Sequence, residues 1–113
     1  MIDSIQRIKN YTVGWCGDNY YSVPASENTI NDALLFINNL SNNMNCKPII
    51  SLATDGEICF VWKTKDYVLD LGFYGDGTYS YYGKEYYKKK ELCCDSVLIN
   101  SDLPFELLKL ITE

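Results

Sequence analysis

Ile2, Ile5 and Ile8 recur every third residue, and this spacing lays one apolar stripe along a short helix that ends near Asn10 or Tyr11. Its expected task is to cover a sheet. From Thr12 to Ala25 the periodicity stops in a loop with two glycines, Pro24 and the aromatics Trp15, Tyr20 and Tyr21, tucked under the helices or used for contact. Trp15 beside Cys16, Gly17 and Asp18 reads first as an anchor that fills a hole in the core. Ser26 then suits an N-cap, because its hydroxyl can accept a free backbone N–H of the first turn, and Glu27 sits well at the positive end of the helix. The helix is expected from Glu27 to about Leu40, with Ile30, Ala33, Leu34, Ile37 and Leu40 on its buried face.

Four strand-like segments follow. Pro48 to Thr54 is the first, and Asp55-Gly56 predicts a type I′ hairpin turn. Glu57 to Lys63 sets Ile58, Phe60 and Trp62 against Glu57, Cys59 and Val61, the period of two that marks a half-buried strand. Tyr67, Leu69, Leu71 and Phe73 alternate with Val68, Asp70, Gly72 and Tyr74, and Gly75-Asp76-Gly77 reverses the chain into Thr78 to Tyr82. Short connections make an antiparallel meander, with helices expected on the Trp62 and Leu71 face and the Asp70, Tyr74, Tyr82 face more exposed. Gly83 to Asn100 reads as a fifth, edge strand or a buried extended segment, its lysines suited to an edge. Ser101 or Asp102 caps a last helix with Leu103, Leu107, Leu108 and Ile111 inward. The expectation is one α+β domain over residues 1–113, in which a four-stranded or five-stranded sheet carries two N-terminal helices and one C-terminal helix on one face.

Composition narrows the function more than it names one. The 113 residues include no histidine, which removes Ser-His-Asp and Cys-His catalysis and mixed Cys/His zinc sites from this chain. Cys16, Cys46, Cys59, Cys93 and Cys94 form no C-x-x-C pair, and their odd number suggests reduced thiols in a cytosol. The start, MIDSIQRIKNY, has mixed charge where an export signal has a basic stretch and then an apolar one, and the longest apolar run is Ala33 to Ile37. A cytoplasmic protein of a host cell that spans no membrane is therefore expected.

Ten tyrosines and a formal charge of −5 remain. Six tyrosines and four lysines fall between Tyr74 and Lys90, so Tyr81, Tyr82, Tyr86, Tyr87 and Lys84 to Lys90 could form a stacking platform for single-stranded nucleic acid. The acid balance argues against it, because unsegregated negative charge forfeits counterion release. Tyrosine suits a protein interface better, joining a large apolar body to a hydroxyl. Tyr67, Tyr79 and Tyr81 are assigned to the sheet core or its rim; Tyr20, Tyr21, Tyr74, Asp76, Tyr82, Tyr86 and Tyr87 are the candidate partner contacts. Gly72 and Gly83 stand where an EF-hand loop would need carboxylates, so Asp76 reads as a turn residue and no metal or cofactor is expected. Cys93 and Cys94, as a redox or transfer site, would need a lowered pKa, and buried thiols are the default. Asp55, Glu57, Asp66 and Asp70 are dispersed carboxylates that make no evident acid/base pair, so the chain reads as no enzyme.

Trp15 and Gly17 in the loop, Pro24 and Ser26 at the cap, Ala33 and Phe36 in the helix, then Lys47-Pro48, Ser51, Asp55-Gly56 and Trp62 resemble a family of small uncharacterised proteins of bacteria, phages and other mobile elements. That family usually has Asp where Cys16 stands. The resemblance implies a fold without an activity. Small acidic proteins of mobile elements often inhibit host machines, as many anti-CRISPR proteins do, which is an analogy of size and charge. On this analogy the chain is expected to bind a basic protein surface, on a host nuclease or a CRISPR effector subunit, as a monomer or homodimer. An antitoxin or immunity protein that neutralises a toxin is the related alternative.

Overall fold

The period-two runs pair in chain order. Strands β1 (Ile49–Leu52), β2 (Ile58–Lys63), β3 (Tyr67–Phe73), β4 (Thr78–Glu85) and β5 (Lys90–Leu98) form one five-stranded antiparallel sheet of order β1-β2-β3-β4-β5. Helices α1 (Ile2–Lys9) and α2 (Glu27–Asn39) precede it and α3 (Phe105–Thr112) follows, an α+β fold. The computed structural model describes residues 2–11, 22–40, 46–100 and 102–112. The expected roles of Trp15, Tyr20, Tyr21 and a Ser101 cap lie outside these.

The register explains why one face of the sheet is apolar. Ile58 stands opposite Phe73, Phe60 opposite Leu71 and Trp62 opposite Leu69, while Leu71 and Phe73 face Tyr81 and Tyr79 on the next strand. All of these are buried, and with them Tyr67, so the three tyrosines assigned to the core are there. The Trp62 indole N–H donates to the Cys46 carbonyl at 3.0 Å, so its polar edge is satisfied inside the core.

α2 is held at its start by Ser26, whose hydroxyl accepts the Thr29 N–H at 3.2 Å. Its key side chain is Phe36, 1% exposed, which the expected buried face of Ile30, Ala33, Leu34, Ile37 and Leu40 does not include. Phe36 meets Phe60, Phe73 and Tyr79 at centroid distances of 5.6, 5.3 and 5.0 Å, in tilted and edge-on geometries that suit the ring quadrupoles. Leu34 is only half-buried. α3 reaches the same face: the Tyr81 hydroxyl donates to Glu106 Oε1 at 2.6 Å, and Leu107, Leu110 and Ile111 are buried. Leu110 takes the inward place expected of Leu108, which is 37% exposed. α1 packs on α2 and β1 through Ile5 and Ile8.

The connections correct three expectations. The β1–β2 turn is not type I′, which needs positive φ at both central residues: Gly56 alone has it, at 92°, and its N–H donates to the Ala53 carbonyl at 3.0 Å. The Asp55 carboxylate accepts the Glu57 N–H at 3.1 Å and sets the same turn from its side chain. β4 runs on to Glu85, three residues past the expected end, because β5 continues the ladder with Glu85 opposite Lys90. Residues 83–100 therefore contain the end of β4, a turn and the edge strand β5, whose pairing is interrupted by a bulge opposite Ser80, with Ser96 at φ 59°. Cys93 and Cys94 lie exposed on that edge and are not the buried thiols expected by default. Among the described residues no helix is long and apolar enough to cross a membrane.

Candidate functional site

The sheet face opposite the helices carries the other half of each alternation. Across all five strands one row reads Ile49, Val61, Asp70, Tyr82 and Cys93, and the next reads Ser51, Cys59, Gly72 and Ser80 on β1 to β4. Ile49 is 69% exposed and Tyr82 49%, so this face is open to solvent as the alternation predicts.

A shallow depression of about 240 Å³ lies in this face, bordered by Glu57, Asp70, Ser80, Tyr82 and Asp95 and passing over Gly72. The Glu57 carboxylate lies over Gly72, in the space a side chain at 72 would take, and would swing aside for one. The Cys59 thiol donates to Glu57 Oε1 at 3.2 Å. Burial, then the Glu57 hydrogen bond and nearby negative charge, push that thiol up to about 12. Cys59 is consequently a protonated donor at neutral pH and no nucleophile.

Tyr74 continues the acidic patch at the end of β3. Its hydroxyl donates to Asp55 Oδ2 at 3.1 Å, and desolvation, the Glu57 charge and the Asp55 bond raise it to about 12. Asp70 is also raised, by desolvation, so its ionised form is held at a cost to the fold. Lys63 and Lys84 stand at the other end of this face, on either side of Val68. The acidic end has Asp55, Glu57, Asp70 and Asp95 with no ion pair to any of them among the described residues.

The expected contact residues fall into two places. Tyr82 borders the depression and Tyr74, 59% exposed, is tied to the acidic end through Asp55, while Asp76 follows in the β3–β4 turn beside α2. Asp76 has a structural duty in the β3–β4 turn: its Oδ1 accepts the Thr78 N–H and hydroxyl at 3.0 and 2.7 Å, bonds that lower its pKa. Gly75 at φ 90° completes the turn against Thr29, and Asp32 of α2 accepts the Gly77 N–H at 2.9 Å. Tyr86 and Tyr87 sit in the β4–β5 turn at the opposite end of β4, about 23 Å away by strand rise. They are exposed, Tyr87 at 85%, but the geometry does not join them to Tyr74. Tyr81, 5% exposed, is unavailable for stacking on a base, which reduces the tyrosine platform to Tyr82, Tyr86 and Tyr87.

The alternation already sets Glu57, Cys59, Asp70 and Ser80 on the outer side of their strands, but it does not join them with Asp55 and Asp95 into one acidic site. A signal existed for some: continuing the β2–β3 hairpin pairing sets Glu57 opposite Tyr74. Asp95 had none, since the bulge breaks its alternation. No three Cys, Asp or Glu side chains among the described residues are grouped so as to hold a metal ion. No family model, no curated protein and no solved structure matches this chain.

Proposed function

We propose that this chain is a non-enzymatic binding protein that places the acidic end of its outer sheet face on a basic surface of a nucleic-acid-handling host protein and blocks it. One observation carries the reading: four carboxylates with no internal cation partner among the described residues share an uncovered face with two exposed tyrosines. Acidic charge draws a basic partner from a distance, and the Tyr74 and Tyr82 rings then add apolar contact once water is displaced. A CRISPR effector subunit or a host nuclease has such a surface where it holds nucleic acid; a toxin neutralised by an antitoxin would offer the same chemistry.

Affinity capture from a bacterial host lysate, with and without nuclease treatment, tests the reading. Recovery of a basic nucleic-acid-binding protein after nuclease treatment is expected, with loss of that protein when Tyr82→Ala and Asp70→Asn are combined. Recovery of no protein in either condition, or undiminished capture by the double variant, would overturn it.

A further inference from the structure

A cavity of about 460 Å³ opens between the end of α2, the segment that follows β5, and α3. We infer that it is a binding site for a small organic cation, an amine with an apolar body. The volume lies in the range of sites that enclose compact organic molecules. Its apolar wall is made by Phe36 and Ile99, each under 5% exposed, together with Leu103 and Leu108. Leu108 was expected to point into the core and is instead 37% exposed, so a ligand seated here would cover apolar area that the fold leaves in water.

The polar part of the lining has one sign. Asp102 is its one charged side chain among the described residues, and no lysine or arginine joins it. Lys109, next to Leu108 in the chain, lines a separate cleft with Tyr67 and Leu92. The Asn39 Nδ2 donates to the Ile99 carbonyl at 3.2 Å, a bond that ties α2 to the segment after β5 and leaves the amide oxygen as an acceptor. Phe36 and Asn39 also belong to the last turn of α2, the partly negative end of that helix, where no basic side chain stands. A carboxylate, an amide oxygen and a helix carbonyl end beside an apolar wall fit an ammonium group attached to hydrocarbon: the charge is met at the rim and the hydrocarbon leaves water. The net charge of −5 acts in the same direction, because the field of the whole chain draws cations. This inference stands independently of the proposed function, since it uses none of the outer-face residues.

Titration of the isotopically labelled full chain with 4-phenylbutylamine at pH 7, followed by amide NMR, tests the site, with neutral 4-phenylbutanol and anionic 4-phenylbutyrate as charge controls. Shifts centred on Asn39, Ile99 and Leu108 are expected, with affinity falling from the amine to the alcohol to the acid. Asp102→Asn should weaken the amine about threefold to tenfold, and Glu91→Gln on β5 should leave it unchanged. Absence of shifts at these residues, strongest shifts on the outer face around Asp70, equal binding of amine and alcohol, or full affinity in Asp102→Asn would each overturn the proposal.

Discussion

The two faces of one sheet are built from alternate residues of the same strands, yet they follow opposite rules. On the inner face no buried polar side-chain atom among the described residues lacks a partner: the Trp62 indole is satisfied by a carbonyl and the Tyr81 hydroxyl by Glu106. On the outer face Asp55, Glu57, Asp70 and Asp95 have no ion pair among the described residues, and a shallow depression stays open to solvent. The inner face is organised for stability. The outer one retains charge that folding alone does not require, which is the physical reason to look for a partner there.

The sharpest way to break this contrast is to cut one residue from each side. Phe36→Ala should cost about 3–5 kcal/mol by denaturant titration, since it empties the centre of the aromatic cluster, whereas Tyr82→Ala should cost under about 1 kcal/mol. Comparable losses would mean that the outer face is structural after all.

Alkaline pH provides the next test. Burial keeps Tyr67 and Tyr79 neutral up to about 12, while their unfolded counterparts ionise near 10. A phenol with a raised folded pKa binds its proton longer in the native state, so stability should be intact below pH 10 and fall from pH 10 towards 12. The last part of the tyrosinate absorbance, that of the buried phenols among the ten tyrosines, should rise together with loss of the near-ultraviolet circular dichroism; the full tyrosinate signal reached well before that loss would show these phenols to be open to solvent.

A smaller effect is expected from Tyr81→Phe, about 1–2 kcal/mol, because it removes the bond that ties β4 to α3 and leaves Glu106 half-satisfied. The smallest effect should have the opposite sign. Asp70 has a raised pKa, so its native form favours the proton, and stability declines as pH rises from the ordinary carboxylate value through the raised one. Asp70→Asn should therefore stabilise the chain slightly at pH 7, by less than about 1 kcal/mol given solvent screening, with the gain disappearing in acid. Thermal melts at the two pH values check this. Destabilisation at pH 7 would show that the charge is already compensated within the chain.

Much of this contrast was legible from period two alone, which assigned Phe60, Trp62, Leu71 and Tyr79 to one side and Asp70, Tyr74 and Tyr82 to the other. Helix faces were less legible. On α2 both Leu34 and Phe36 fit an apolar stripe, and only the position of the sheet decides which ring is central. On α3 the same ambiguity exchanged Leu108 for Leu110. The acidic depression was the least legible, because it joins residues from the β1–β2 connection, β3, β4 and the bulged strand β5 that only the register brings together.

The bulge opposite Ser80 also affects how copies of this protein behave in concentrated solution. An outer strand offers a row of unpaired backbone groups to any passing chain, and Leu98 at one end of β5 is 59% exposed. With Ser96 turned into the left-handed region, that row is broken after Asp95, and a stray strand could add only along its first few residues, where Lys90 and Glu91 bring charge. The bulge thereby guards the β5 edge of the sheet, and straightening it should lengthen the stretch along which a stray strand can pair there.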